Sequence, residues 1–305
     1  MPLYKIGSSL QYLKEVPFKL EKEIQQLTEA NLKTIFGLEL IRSEFALNNF
    51  RIDTLAFDGE AQAFIIIEYK RDKNFSVIDQ GYAYLSLMLN NKADFILEAN
   101  EQQNQNLKRN DIDWSQSKVI FVSPHFTTYQ REAINFKDLP IELWEVKRFE
   151  NDTVSYEQIQ KASSTESIKT ISGKDETVKT VSKEVKVYTE QDHLQSAGSS
   201  TVELYEKLKE TLLGLDDTVT LQPKKITIGF KVADTVFCDV VIQGKNLKIF
   251  LNMKVGELQD PQNLARDVSN VGHWGTGSYE LKVSDLESME NVIPLVRQSL
   301  RRNKS

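Results

Sequence analysis

Two apolar runs separated by a polar turn, the second ending in Glu68-Tyr69-Lys70, organise residues 52–73, IDTLAFDGEAQAFIIIEYKRDK. Arg51, Asp53, Leu55 and Phe57 recur at the two-residue period of a strand, and Phe64, Ile66, Glu68 and Lys70 do the same further on. Asp58-Gly59-Glu60 between the two runs supplies turn chemistry and predicts a hairpin. Antiparallel pairing brings Asp53 and Glu68 to the same end of it. Glu68 and Lys70 project the same way, so two carboxylates and an amine converge at the polar end of an otherwise apolar face.

The pattern on either side predicts the surrounding elements. Residues 1–17 read as a short extension, and Pro17 marks the start of a helix over Phe18–Phe36, where Leu20, Ile24, Leu27, Asn31 and Ile35 fall at helical spacing. Gly37 fits its stop. Leu38–Leu47 reads as a strand with Glu44 near its end, either an edge charge or a group that reaches the hairpin carboxylates. Ser76 is the expected N-cap of a helix over 77–89. Residues 100–113 read as a polar loop in which Lys108 and Arg109 are able to touch phosphate. Strands over 118–122 and 141–146, with a helix over 127–136 between them, predict an α/β sheet and a first domain closing near residue 158.

Composition then changes. Residues 159–198 are rich in Ser, Thr, Lys and Glu and predict a linker without a core. Residues 199–305 predict a second, smaller α+β domain: a helix over 202–213, strands near 219–223, 226–230, 236–242, 247–251 and 278–283, and a closing helix over 285–299 capped by Ser284. In it, VGHWGTG over 271–277 sets His273 and Trp274 among glycines, as a turn around a packed Trp or as a ligand pocket or base-stacking platform.

The net charge of −6 and an isoelectric point near 5.4 argue against a basic coat, so any nucleic-acid contact has to come from local patches and a metal. One cysteine, Cys238, rules out an internal disulfide and fits a reducing cytoplasm. No apolar run reaches a membrane span and no signal peptide is visible, which places the expected location in the cytoplasm. His125, His193 and His273 are too dispersed for a zinc site, and no Ser–His–Asp or Cys–His set is present.

The hairpin carboxylates therefore carry the candidate chemistry. Two carboxylates about 4 Å apart repel by roughly 4 kcal/mol at an effective dielectric of about 20, so such a pair keeps a proton or binds a cation. Oxygen ligands suit Mg²⁺ or Mn²⁺, which bind through one or two carboxylates with water and substrate phosphate. A lysine beside them offsets charge on a pentavalent phosphate. Metal-assisted phosphodiester hydrolysis is the expected reaction.

At these residues the sequence resembles the PD-(D/E)XK nuclease superfamily. Asp53 is followed, after fourteen residues, by Glu68-Tyr69-Lys70 as the E-x-K, with Ile52 in place of the nominal proline. Gln80-Gly81-Tyr82-Ala83-Tyr84 resembles the Q-x-x-x-Y helix motif of RecB-type nucleases, and Leu20–Ile24 resembles the stretch that holds the family's helix glutamate. The family phase favours Glu21; periodicity alone does not choose between Glu21 and Glu23. The N-terminal region is similar to archaeal NucS-like endonucleases and their bacterial relatives. The resemblance implies a restriction-endonuclease-like αβββαβ core over 1–158, with Asp53, Glu68 and Glu21 binding Mg²⁺ or Mn²⁺ and Lys70 orienting the attacking water. It implies that Gln80 and Tyr84 steady the metal site or contact the DNA backbone, that DNA is the partner, and that two copies pair to cut both strands. The C-terminal region resembles an uncharacterised module labelled a predicted transport protein. Two other readings stand beside the nuclease: an inactive module that binds nucleic acid or protein, and a small-molecule sensor centred on His273 and Trp274.

Overall fold

The computed structural model describes residues 2–71, 76–161, 166–168, 175–233, 235–273 and 275–304. Asp72 and Lys73 of the charged loop, most of 162–174 and Trp274 lie outside the described residues. The chain divides into two compact units, Met1–Val187 and Tyr188–Ser305.

The first unit opens with a hairpin of β1 (Leu3–Lys5) and β2 (Gln11–Leu13), so the expected extension is structured. The main sheet holds β3 (Glu15–Val16), β4 (Glu39–Leu47), β5 (Phe50–Asp58), β6 (Ala63–Tyr69), β7 (Lys118–Ser123) and β8 (Ile141–Phe149) in the order β3-β8-β7-β6-β5-β4, and β9 (Val154–Gln158) pairs with β8. The pairs β6–β7 and β7–β8 are parallel; β4–β5 and β5–β6 are antiparallel. One face of the sheet packs on α1 (Glu21–Glu29) and α2 (Leu32–Phe36) through Ile24, Leu32, Ile65, Ile67 and Ile120. The other packs on α3 (Val77–Asn90) and α4 (Lys92–Gln103) through Phe64, Ile66, Leu85, Met88 and Phe95. Two helices, three strands, two helices and a strand is thus the order from α1 through β7, and the unit is a mixed α/β structure. A short helix, α5 (Thr128–Ala133), lies between β7 and β8.

Three local expectations change. The single helix expected over 18–36 is two, because Asn31 turns its side-chain amide onto the Leu27 carbonyl at 2.8 Å and leaves the helical conformation. The polar stretch at 100–113 begins inside α4, not in a loop. The expected linker over 159–198 also folds in part. Within it, α6 (Glu176–Glu184) buries Val178 and Val181 in the first unit's core, joined by Ile168 and Val185. Valines at 178, 181 and 185 share one helical face, which the Ser/Thr/Lys/Glu composition concealed.

The second unit has α7 (Glu190–Leu194), α8 (Ser199–Leu213) and α9 (Leu286–Asn303) with an antiparallel sheet. Its strands are β10 (Val219–Pro223), β11 (Ile228–Val232), β12 (Thr235–Ile242), β13 (Leu247–Leu251), β14 (Arg266–Asp267) and β15 (Tyr279–Val283), ordered β10-β11-β12-β13-β15-β14. Leu204, Leu208 and Leu212 of α8 and Val292, Leu295 and Val296 of α9 close the core over Phe230, Val240 and Ile249. Asp285, not Ser284, caps α9: its carboxylate accepts the Ser288 N–H at 2.8 Å. Among the described residues no helix is long and apolar enough to cross a membrane.

Candidate functional site

The β5–β6 ladder ends with Thr54 opposite Ile67, and Asp53 and Glu68 are the next residues of the two strands at that open end. Asp53 Oδ2 accepts the backbone N–H of Tyr69 at 3.0 Å. Glu68 is held on β6, flanked by β5 and β7, with 4% of its surface exposed. Its Oε1 accepts from Lys70 Nζ at 2.8 Å and Gln80 Nε2 at 3.3 Å, while Oε2 is buried and has no hydrogen-bond partner among the described residues. Burial raises both carboxyls above the ordinary carboxylate range. The charge of Asp53 adds to the rise at Glu68, and those of Glu44 and Glu21 to the rise at Asp53; the Tyr69 N–H and Lys70 oppose it.

Helix α3 delivers two more groups. Ser76 caps it by accepting the Asp79 N–H at 3.2 Å. At Gly81 a Cβ would stand 2.4 Å from Ile141 Cδ1, so the absent side chain lets α3 lie close on the sheet. Gln80 and Tyr84, one turn apart, then meet at 3.3 Å above Glu68, and the Tyr84 hydroxyl donates to the Arg51 carbonyl at 3.4 Å. Burial and the Glu68 charge push that hydroxyl up beyond the usual tyrosine range, which keeps its proton in place.

The two glutamates of α1 part company. Glu21 Oε1 accepts the Arg71 N–H at 2.9 Å, and its charge acts on Asp53. Glu23 instead accepts the Lys19 N–H at 3.3 Å and faces Arg148 at 3.6 Å. Glu44 stands opposite Asp53, between the pairs Ser43–Thr54 and Phe45–Ile52, with a left-handed φ of 57°. Lys22 at 2.7 Å and Arg51 bind its carboxylate and hold it below the ordinary range.

Sequence reasoning missed a buried polar layer beneath the site. Gln25 of α1 donates to the Asp53 carbonyl at 2.9 Å and to Glu29 at 3.0 Å; Thr54 donates to Glu29 at 2.6 Å and to the Tyr69 hydroxyl at 3.2 Å. Gln25, Thr28 and Glu29 read as ordinary polar helix positions, and no signal in the sequence distinguishes them.

The histidines are not brought together. His125 faces Glu15 at 3.6 Å, and His193 meets the Lys224 carbonyl at 2.7 Å. His273 stacks on Phe250, with ring centres 5.6 Å apart, and both its ring nitrogens face carbonyls of its own loop, Val271 at 2.9 Å and Gly277 at 2.8 Å. That loop is tied to the buried Asp239 through the Thr276 hydroxyl and N–H at 2.7 and 2.8 Å.

Among the described residues no three His, Cys, Asp or Glu side chains stand close enough to enclose a metal by themselves. Mg²⁺ and Mn²⁺ do not require such a cage; one or two carboxylates suffice when water and phosphate complete the shell. Asp53 and Glu68 fit that demand, and the buried, unpartnered Glu68 Oε2 is the atom a cation would satisfy.

An uncharacterized protein of Haemophilus influenzae (strain ATCC 51907 / DSM 11121 / KW20 / Rd) is 52% identical over 292 residues, 96% of each chain. The chain belongs to its family. Residues 190–300, within the second unit, match the family model for a domain of unknown function, DUF5655. Among solved structures the chain is similar to EndoMS in a complex with double-stranded DNA, at 13% identity and a TM-score of 0.25 over 42% of this chain and 57% of that one. A repair endonuclease from Pyrococcus abyssi matches at 15% identity and a TM-score of 0.23, over 44% of this chain and 60% of that one. SfsA of Pyrococcus furiosus, in complex with Ca²⁺, matches at 11% identity and a TM-score of 0.26, over 52% and 75%. This chain therefore spans little more than half the length of the first two. At these scores the overlaps decide nothing about activity.

Proposed function

We propose that the first unit is a nuclease that hydrolyses phosphodiester bonds in DNA, using Mg²⁺ or Mn²⁺ held by Asp53 and Glu68. The observation that carries this reading is the pair itself: Asp53 at the end of the β5–β6 ladder beside a buried Glu68 whose Oε2 has no hydrogen-bond partner among the described residues, with Lys70 at 2.8 Å. When bound, the ion supplies Lewis-acid polarisation of the phosphate and a bound water of lowered pKa. Lys70, next to Glu68, orients the attacking water and offsets charge developing on the phosphate. Glu21 assists from the Asp53 side through water. Gln80 and Tyr84 hold Glu68 in place, as outer-shell groups do for metal-binding carboxylates. Lys22 and Arg51, exposed around the same opening, supply local positive charge that the acidic chain as a whole lacks. The second unit is an accessory domain.

One observation favours a second reading, a module that binds without cutting: the Lys70 ammonium is already paired with Glu68. A cleavage assay on single-stranded, duplex and branched DNA in Mn²⁺ or Mg²⁺ separates the two. Cutting that disappears with a chelator, in Asp53→Ala and in Lys70→Ala supports the nuclease. No cutting on any substrate, together with no metal-induced thermal shift, selects the binding module.

A further inference from the structure

A cavity of about 290 Å³ in the first unit is lined by Glu15, Pro17, Phe18, Arg71, His125 and Arg148, among others. It lies where β6 and β7 end beside the later residues of β8. Tyr69 pairs with Val122 and Ser123 with Glu145 in the two parallel ladders, so Arg71, Pro124 and the last residues of β8 emerge side by side. Carboxyl ends of parallel strands are the usual ligand crevice of an α/β sheet.

Both arginines are fixed by one short segment. Arg71 donates through Nη1 to the Lys19 carbonyl at 2.5 Å, and Arg148 through Nη2 to the Pro17 carbonyl at 3.1 Å. The Arg148 guanidinium also lies 4.8 Å from the centre of the Phe18 ring and 3.6 Å from Glu23. Its Nε is buried and makes no hydrogen bond among the described residues. A guanidinium is a planar fork of N–H donors whose charge and shape suit phosphate oxygens, and two of them stand on this lining. Glu15 is the opposing charge on the lining, and it is turned toward His125 at 3.6 Å. The cavity adjoins the carboxylate site through the backbone: the Arg71 N–H is the donor to Glu21, and Arg71 follows Lys70 directly, about 3.8 Å away along the chain.

We propose that this cavity binds a phosphate group of the DNA strand adjacent to the one held at Asp53 and Glu68, and so sets the register of the strand in the site. This rests on the nuclease reading for its substrate. The phosphate is either a terminal monoester or an internal diester, and the test distinguishes them.

The test measures fluorescence anisotropy of the full chain in EDTA, with a short single-stranded oligonucleotide carrying a 5′-phosphate, a 3′-phosphate or neither. The chains compared are wild type, Arg71→Gln, Arg148→Lys and Asp53→Ala. Arg148→Lys keeps the charge but loses the fork, and exposed Arg71 carries the test should Arg148→Lys melt early. Each arginine variant is expected to bind about tenfold more weakly, the scale of one charge-assisted contact. For a terminal monoester, wild type prefers one phosphorylated oligonucleotide and the variants lose that preference. For an internal diester, all three oligonucleotides bind alike and the variants weaken all three equally. Arginine variants that bind every oligonucleotide as wild type does, or a wild type that binds none, overturn the proposal. Loss of cutting in Asp53→Ala with arginine-dependent binding intact concerns only the carboxylate site. A chain that binds through the arginines but never cuts sinks the nuclease reading and leaves the cavity standing.

Discussion

Asp53 and Tyr69 meet across the β5–β6 ladder, where the Asp53 carboxylate accepts the Tyr69 backbone N–H at 3.0 Å. The middle residue of Glu68-Tyr69-Lys70 thereby fixes the carboxylate that precedes it by sixteen positions. One oxygen of Asp53 is engaged and the other makes no hydrogen bond among the described residues.

That contact separates charge from structure at Asp53. Asp53→Asn keeps an acceptor for the Tyr69 N–H and is expected to melt within about 1 kcal/mol of wild type. Asp53→Ala leaves that N–H without its acceptor and costs about 1–3 kcal/mol. Both should lower single-turnover cleavage about 100-fold or more, a loss on the scale of removing one charged group that stabilises the transition state. Thermal melts and single-turnover rates on the same preparations check it; full activity in Asp53→Asn would exclude a ligand role.

Metal affinity should rise with pH. Burial lifts both Asp53 and Glu68 above the carboxylate range, and a cation must displace their protons. The sign for the metal-free chain is opposite. Between the ordinary carboxylate pKa and the raised ones, the folded state holds more protons than the unfolded, so these two groups make stability fall as pH rises. Mn²⁺ titrations by calorimetry and melts in EDTA, each across pH 4–8, on the order of the range carboxylates span, test the two slopes together. A metal affinity that does not change with pH would contradict the site.

Tyr84→Phe removes a hydroxyl that meets Gln80 at 3.3 Å and the Arg51 carbonyl at 3.4 Å. The expected cost is about 1 kcal/mol in stability. Because Gln80 also contacts Glu68, Gln80→Ala and Tyr84→Phe should each weaken Mn²⁺ binding about tenfold, as outer-shell losses do. Unchanged Mn²⁺ affinity in both variants would assign them to packing alone.

In the second unit, Gly277 has a φ of 80° and a Cβ placed on it would stand 1.9 Å from the Leu251 carbonyl oxygen. Gly277→Ala therefore meets both backbone strain and a clash with main chain that cannot swing aside. A loss of about 3 kcal/mol or more is expected. A chemical denaturation curve that matches wild type would show that the loop adapts.

The hairpin was legible because its two strands keep the two-residue period and a turn sequence separates them. A period fixes faces, and faces fixed where Glu68 and Lys70 point. Glu21 and Glu23 could not be told apart on the same grounds, since both flank the apolar stripe of α1; the approach of Arg71 to one and Arg148 to the other separates them. Glu44 was ambiguous for another reason. Its left-handed backbone interrupts the alternation of β4, so no strand period predicts where its carboxylate goes.

By itself the sequence determined that two strands fold into one hairpin, where α3 starts, and that Asp53, Glu68 and Lys70 share one end of that hairpin. These are properties of near neighbours, set by periodicity, turn residues and caps. Only the tertiary structure decided that Gln25 and Thr54 lie buried under the site, that α6 belongs to the first core, and that Arg71 and Arg148 line one cavity. Those outcomes depend on contacts between residues far apart in the chain, made by packing two helical layers on one sheet, and no local pattern encodes them.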